Sequence, residues 1–279
     1  MTAILFGLFS AAAWGGGDFA GGLASRRVGA YRAVLYAELV GLIGLLAALG
    51  FYHEAIPSTR SLVFAACAGS IGSLGLLILY QAMSTGKMSI AAPVSALLAA
   101  ALPIFVGALT EGLPKLTQFA GFGLALVAIW LVSQSAGDFR PHIERFADLR
   151  LPLLAGLGFG TYFVLMNQAA HEATLWPMIA SRTSGSVLLG LVILARREPL
   201  NISAAGWPLV ITNAVLDVGG NVFFVLAAQT GRLDISSVLS SLYPGVTALL
   251  AWLVLKEHIQ RTQLVGIALA LAAIALMTI

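Results

Sequence analysis

Four ionisable residues of this sequence stand inside long apolar stretches: Asp18, Glu38, Arg182 and Asp217. Insertion scales put a charge at mid-helix in a bilayer at about 2.5–3.5 kcal/mol, so such residues face a partner or a water-filled cavity rather than lipid. Asp217 has company, because Asn213, Asp217 and Asn221 recur at every fourth position and fall on one side of a helix. Such a stripe reads either as an aqueous surface on a solute path or as a polar network that fastens neighbouring helices, with Arg182 as the counter-ion. Both readings hold together if the ion pair breaks when a solute enters. A desolvated carboxylate is also the usual proton carrier, a role open to Asp217, Glu38 and Asp18.

Bond-breaking chemistry is not legible. His53, His142, His171 and His258 all fall in charged or turn-rich connections, and His53-Glu54 and His171-Glu172 begin an HExxH pattern that lacks its second histidine. The single cysteine, Cys67, leaves no intramolecular disulfide and no thiol cluster. The expectation is a protein that is not an enzyme and carries no metal and no cofactor.

Further polar and aromatic side chains within the apolar stretches extend the candidate path: Trp14, Tyr36, Tyr80, Gln81, Tyr162, Ser240 and Tyr243. An aromatic-lined cavity suits a planar or apolar solute. Each serine has an equal claim as a small residue that lets helices approach, and Gly69, Gly72 and Gly75 read as packing. Pro103 and Pro244 each remove a backbone donor and are candidate hinges. Trp176 and Trp207 open their stretches and read as interfacial anchors.

The elements that must position these groups follow from composition. The 279 residues include 15 Lys+Arg and 12 Asp+Glu, so 10% are charged, against about 25% in a soluble domain. Too few charges remain to cover a water-soluble globule. No run of Lys/Arg exceeds two, which leaves no phosphate-tracking patch and no nucleic-acid partner. The class is an integral membrane protein. Reading between charged or turn-rich breaks gives ten spans, at 3–22, 32–51, 61–84, 88–109, 116–135, 151–170, 175–195, 206–229, 233–255 and 262–279. The first lacks a basic leader and a cleavage site and is expected to be retained. Runs such as Gly121 to Val132 are apolar throughout, which disfavours a β-barrel.

The charged connection Gln134 to Arg150 divides five spans from five, and the chain repeats across it. An offset of 145 residues aligns 79–131 with 224–276, matching Thr85-Gly86 to Thr230-Gly231, Ser95 to Ser240, and Thr117-Gln118 with Gly121 to Thr262-Gln263 with Gly266. The domains expected are a first five-helix repeat, 1–135, a loop, 136–150, and a second repeat, 151–279. An odd number of crossings inverts the second copy, the construction of secondary transporters with a site near the midplane. A pump would need a nucleotide site, and Gly86-Lys87 lacks the rest of a P-loop. The odd-numbered connections hold eleven Lys/Arg and the even-numbered ones three, which places the odd set in the cytoplasm and both termini outside.

Trp14-Gly15 in the first span, the Ala-x-x-x-Gly turns at Ala82 and Ala227, Pro244 in a span ending at Lys256-Glu257, and Thr262-Gln263-x-x-Gly266 resemble the EamA-type branch of the drug/metabolite transporter superfamily. Glu111-Gly112 reverses the family's usual Gly-Glu order. The resemblance implies an all-α protein of ten transmembrane helices around a central cavity, exporting small metabolites across a bacterial inner membrane, and includes YddG-like exporters of aromatic amino acids. Amino acids are the expected substrates, with drugs or nucleobases as alternatives and a channel or membrane scaffold as the alternative of another class. The expected partners are the solute, the bilayer and, where transport is coupled, protons. A monomer suffices, since both repeats lie in one chain.

Overall fold

A computed structural model describes residues 2–84, 88–132, 150–256 and 260–278, with the side chains of 80–84, 88–93 and 278 outside the description. The described residues fold into eleven α-helices: α1 (Thr2–Val28), α2 (Ala30–Phe51), α3 (Thr59–Ser84), α4 (Met88–Thr110), α5 (Leu116–Val132), α6 (Arg150–Ala169), α7 (Leu175–Arg196), α8 (Trp207–Thr230), α9 (Leu233–Ser240), α10 (Tyr243–Leu255) and α11 (Arg261–Thr278). Long apolar runs leave the backbone no water to bond with, so every N–H must find its carbonyl within the segment. Six helical stretches among the described residues are long and apolar enough to cross a membrane, including α1, α2, α7 and α8. Shorter apolar helices at Val94–Thr110, Leu116–Val132 and Arg261–Met277 accompany them.

Two departures from the expected spans have physical causes. Helix α1 runs on through Arg26 and Arg27 to Val28, and α2 begins at Ala30, so a single residue joins them. Arginines at a helix end extend their heads to the interface, so charge there does not stop a helix. The reversal is made by Gly29 at φ 85, a backbone conformation that side chains disfavour. The expected span 233–255 is divided: α9 ends at Ser240, Ser241-Leu242 form a turn, and α10 restarts with Pro244 in its first turn. Proline's missing N–H and fixed φ suit a helix start, so the break falls just before it. Pro103, by contrast, sits in an α4 that stays helical on both sides of it.

The closest helix packing uses glycine and serine. A Cβ at Gly69 of α3 would strike the Ser181 carbonyl of α7, so the two backbones touch there. Hydroxyls then bond across the seams: Ser10 Oγ donates to the Gly220 carbonyl at 2.9 Å and Ser184 Oγ to the Ala66 carbonyl at 2.7 Å. Here the serines act as small, bonding residues between helices. The largest core cluster gathers Phe163, Met166, Met178, Phe224 and Leu233, with Trp14 and Tyr162 packed against it.

One end of the bundle is tied by carboxylates that cap helices of other segments. Glu54, between α2 and α3, accepts from the backbone N–H of Thr174, Leu175 and Trp176 at 2.8, 2.8 and 3.0 Å, at the start of α7. Reciprocally, Glu172, between α6 and α7, accepts from the Ser58 backbone N–H at 2.7 Å and hydroxyl at 2.8 Å, at the start of α3. Glu111, after α4, accepts from the Leu233 N–H at the start of α9, and Arg232 donates to the Gly112 carbonyl at 2.7 Å. Each carboxylate satisfies helix-terminal donors and meets the positive end of the helix dipole.

The two Ser58 bonds hold the Glu172 carboxyl below the usual carboxylate range. A depressed folded-state pKa adds stability above the unfolded value of 4.5, and that stability is lost as pH falls through the lower folded value. Glu172→Gln should therefore melt below the parent at neutral pH, and the two melting curves should converge as the pH drops below 4.5. Thermal melts of both proteins across about pH 3–7 check this, and a gap that stays constant would contradict it.

Candidate functional site

A cavity of about 140 Å³ lies among the helices, lined by residues of α1, α2, α3, α4, α6, α7, α8 and α10. Its polar wall is one connected network. Arg182, 7% exposed on α7, pairs through one guanidinium nitrogen with Glu38 of α2 at 3.0 Å and through the other with Asp217 of α8. The Ser73 hydroxyl of α3 bonds Glu38. Asn221, one turn beyond Asp217, donates its amide to the Asp217 backbone carbonyl at 2.7 Å and to its carboxylate at 3.3 Å, and accepts from the Tyr162 hydroxyl of α6. Five helices thus share one chain of bonds around a single cation. Arginine suits that position, because its planar fork presents separate N–H pairs to two carboxylates and stays charged when buried.

The apolar wall is aromatic. Trp14 of α1 stacks on Phe163 at 5.5 Å and Phe224 at 5.9 Å, Phe163 and Phe224 lie 4.7 Å apart, and Tyr162 meets Phe163 edge-on at 6.0 Å. Offset and edge contacts of this kind hold rings rigidly, which leaves the exposed ring surface shaped for a ligand. Tyr243, directly after the α9–α10 break, also lines the cavity.

Of the residues singled out in the sequence, the structure brings Trp14, Asp18, Glu38, Tyr162, Arg182, Asp217, Asn221 and Tyr243 to this cavity. It places others elsewhere. The Tyr36 hydroxyl donates to the Leu200 carbonyl at 2.6 Å and its ring meets Trp207 at 5.3 Å, which ties the N-terminal part of α2 to the connection leading into α8. Asn213 shares the stripe with Asp217 but packs half-buried against Gly17 and Gly21 of α1 and does not line the cavity. Ser240 is fully buried at the α9 terminus, and its hydroxyl has no partner among the described residues. Tyr80 and Gln81 have side chains outside the described residues.

Ser73, Ser181, Phe159 and Phe163 also line the cavity, although the sequence does not single them out. Phe159 and Phe163 are four apart on α6, and Tyr162, three after Phe159, adjoins Phe163, so the spacing does carry the signal of a ring-bearing face. Gly69 and Gly72 line it as well, at the points where α3 packs directly on the Ser181 backbone of α7 and the Tyr162 ring of α6. Among the described residues no group of three His, Cys, Asp or Glu side chains could hold a metal ion.

Similarity to known proteins agrees with this architecture. A protein of known crystal structure superposes over 99% of this chain and 96% of its own with a TM-score of 0.80 at 17% identity, a likeness of fold. The Bacillus subtilis (strain 168) protein described as uncharacterized transporter YdfC is 25% identical over 195 residues, which cover 67% of this chain and 62% of that relative. The match thus spans less than two thirds of the relative's length. Residues 1–134 and 149–279 match the EamA-like transporter family, so this helical membrane protein belongs to that family of transporters.

Proposed function

We propose that this chain is a secondary transporter that exports amino-acid-like metabolites, aromatic or apolar ones foremost, across a bacterial inner membrane by alternating access. The observation that carries the reading is the cavity itself, walled by both halves of the chain and combining a stacked aromatic face with a buried ionic network. Such a wall offers an apolar side chain a surface and a polar head group charged partners.

Two repeats, 1–135 and 151–279, joined by 136–150, give the motion its geometry. The two family matches and the helix pairing both support this division. Exchanging the halves maps the contact of α1 with α8 onto that of α6 with α3, and the contact of α3 with α7 onto that of α8 with α2. The broken ninth span, α9 plus α10, then packs on α1 as α4 packs on α6. Inverted repeats related in this way rock about a central site.

The end sealed by Glu54, Glu111 and Glu172 is the outer face if the Lys/Arg excess marks the cytoplasm. A cavity closed outward and loaded from within is the arrangement an exporter needs. Both termini then lie outside, and the ten spans use one chain without a partner subunit.

Purified protein in proteoliposomes should take up radiolabelled phenylalanine with saturation, and faster when unlabelled phenylalanine is trapped inside. Linear, non-saturating flux would make it a channel. Saturating flux of nucleobases without flux of amino acids would move the substrate class. An imposed pH gradient that changes the initial rate identifies proton coupling, and an unchanged rate identifies a facilitator.

A further inference from the structure

The charged groups on the described cavity wall are three carboxylates and one guanidinium: Asp18, Glu38, Asp217 and Arg182. Two of the carboxylates are spoken for. Glu38 and Asp217 both hold Arg182, and each takes a further hydrogen bond, from Ser73 and Asn221 respectively. Asp18 makes no ion pair and no hydrogen bond with any described residue, and its exposed carboxylate opens on the cavity. Trp14, one helical turn before it on α1, presents its ring to the same space.

The cavity therefore carries a surplus of negative charge with one carboxylate free to bind and an aromatic face beside it. Flanked by protein in a cavity mouth rather than open solvent, an uncompensated carboxylate attracts a cation and repels an anion more strongly than it would on a free surface. An aromatic ring next to it adds the attraction of its electron-rich face for an ammonium group. Arg182, already clamped by two carboxylates, is not available as the anchor for a substrate carboxylate.

We infer that Asp18 binds the ammonium group of the transported solute, so that the cavity selects molecules carrying a protonated amine over those carrying only a carboxylate. The inference rests on the transport reading above and sharpens it: the amine is the required group, and the carboxylate of an amino acid is tolerated. The apolar body of the solute lies along Trp14, Phe163 and Tyr162, and its amine points toward Asp18.

Calorimetric titration of the detergent-purified full chain with three probes tests this: phenylalanine amide, a cation; phenylalanine, a zwitterion; and N-acetylphenylalanine, an anion. The expected order is cation first, zwitterion next and anion weakest, with about 10-fold or more between the extremes, the scale of one charge-assisted hydrogen bond. Asp18→Asn should weaken the cation by about the same 10-fold and flatten the order, while Asp18→Glu should keep it. Because the order is read first in the parent protein, a poorly folding variant does not decide the matter. An anion bound as tightly as the cation, or an Asp18→Asn protein with the parent's order, would overturn the assignment. Flux measured on the same probes separates the two claims: the binding order without any flux defeats the transport reading, and saturating flux without charge preference defeats the role of Asp18.

Discussion

Replacing Arg182 with alanine is expected to abolish transport and to lower the yield of folded protein sharply. The guanidinium is the cation for both Glu38 and Asp217, and each carboxylate sits where lipid and packed helices replace bulk water. Removing one partner of such a buried arrangement costs about 3–5 kcal/mol, because the remaining charges lose their compensation without regaining their hydration. Arg182→Lys should recover only part of the loss, since a single ammonium cannot present separate N–H pairs to two carboxylates on different helices. The neutral triple replacement Glu38→Gln, Arg182→Gln, Asp217→Asn should fold better than Arg182→Ala, because removing all the charges leaves none unpaired. It should still fail to transport. Size-exclusion yield, thermal melting and vesicle flux on the parent and these three variants check the series. A parent-like melting temperature and flux in Arg182→Ala would remove the ionic network from both stability and mechanism.

The second large effect is steric. Gly69→Ala should destabilise the protein at the top of the range of about 1–3 kcal/mol for overpacked sites, because the new methyl would strike the Ser181 backbone carbonyl, which cannot rotate aside. The same seam carries Arg182 one residue further on, so parting α3 from α7 also moves the cation off its carboxylates. Gly190→Ala, on α7 as well, is the matched control: a methyl there meets nothing within 4 Å. It should be neutral or stabilising by up to about 1 kcal/mol through helix propensity. Thermal melts of the two variants in one detergent decide the contrast, and equal shifts would contradict it.

Much of this architecture is legible in the sequence, and the parts that are not share a cause. Apolar length and charged breaks locate the helices, and the i, i+4, i+8 spacing of Asn213, Asp217 and Asn221 identifies the polar face of α8. Those signals are local, arising within one helix. Which helix lies opposite is not local. Asn213 and Asp217 share a stripe, yet one lies against the α1 backbone and the other meets Arg182, a difference set by where α1 crosses α8. Tyr36 lies in an apolar stretch like Trp14, but its hydroxyl reaches the Leu200 backbone carbonyl in the connection between α7 and α8 rather than the cavity. Phe224 looks like an ordinary core residue and is fully buried, yet it backs the cavity wall because Trp14 and Phe163, which do line the cavity, both pack on its ring. The single-residue joint at Gly29 is hidden in the sequence because Arg26 and Arg27 read as a loop, although arginine is a good helix former at an interface.

In the proposed transport cycle, solute passes through the cavity between the two halves. Leu76 lines that cavity on α3 without taking part in the ionic network, and Cys67 is the chain's sole cysteine. In a protein carrying Cys67→Ser and Leu76→Cys, reconstituted in vesicles, phenylalanine uptake should remain saturable. Reaction of the introduced thiol with a maleimide should then abolish it, and excess phenylalanine should slow the labelling. Uptake that persists unchanged after complete labelling would show that the solute takes another route.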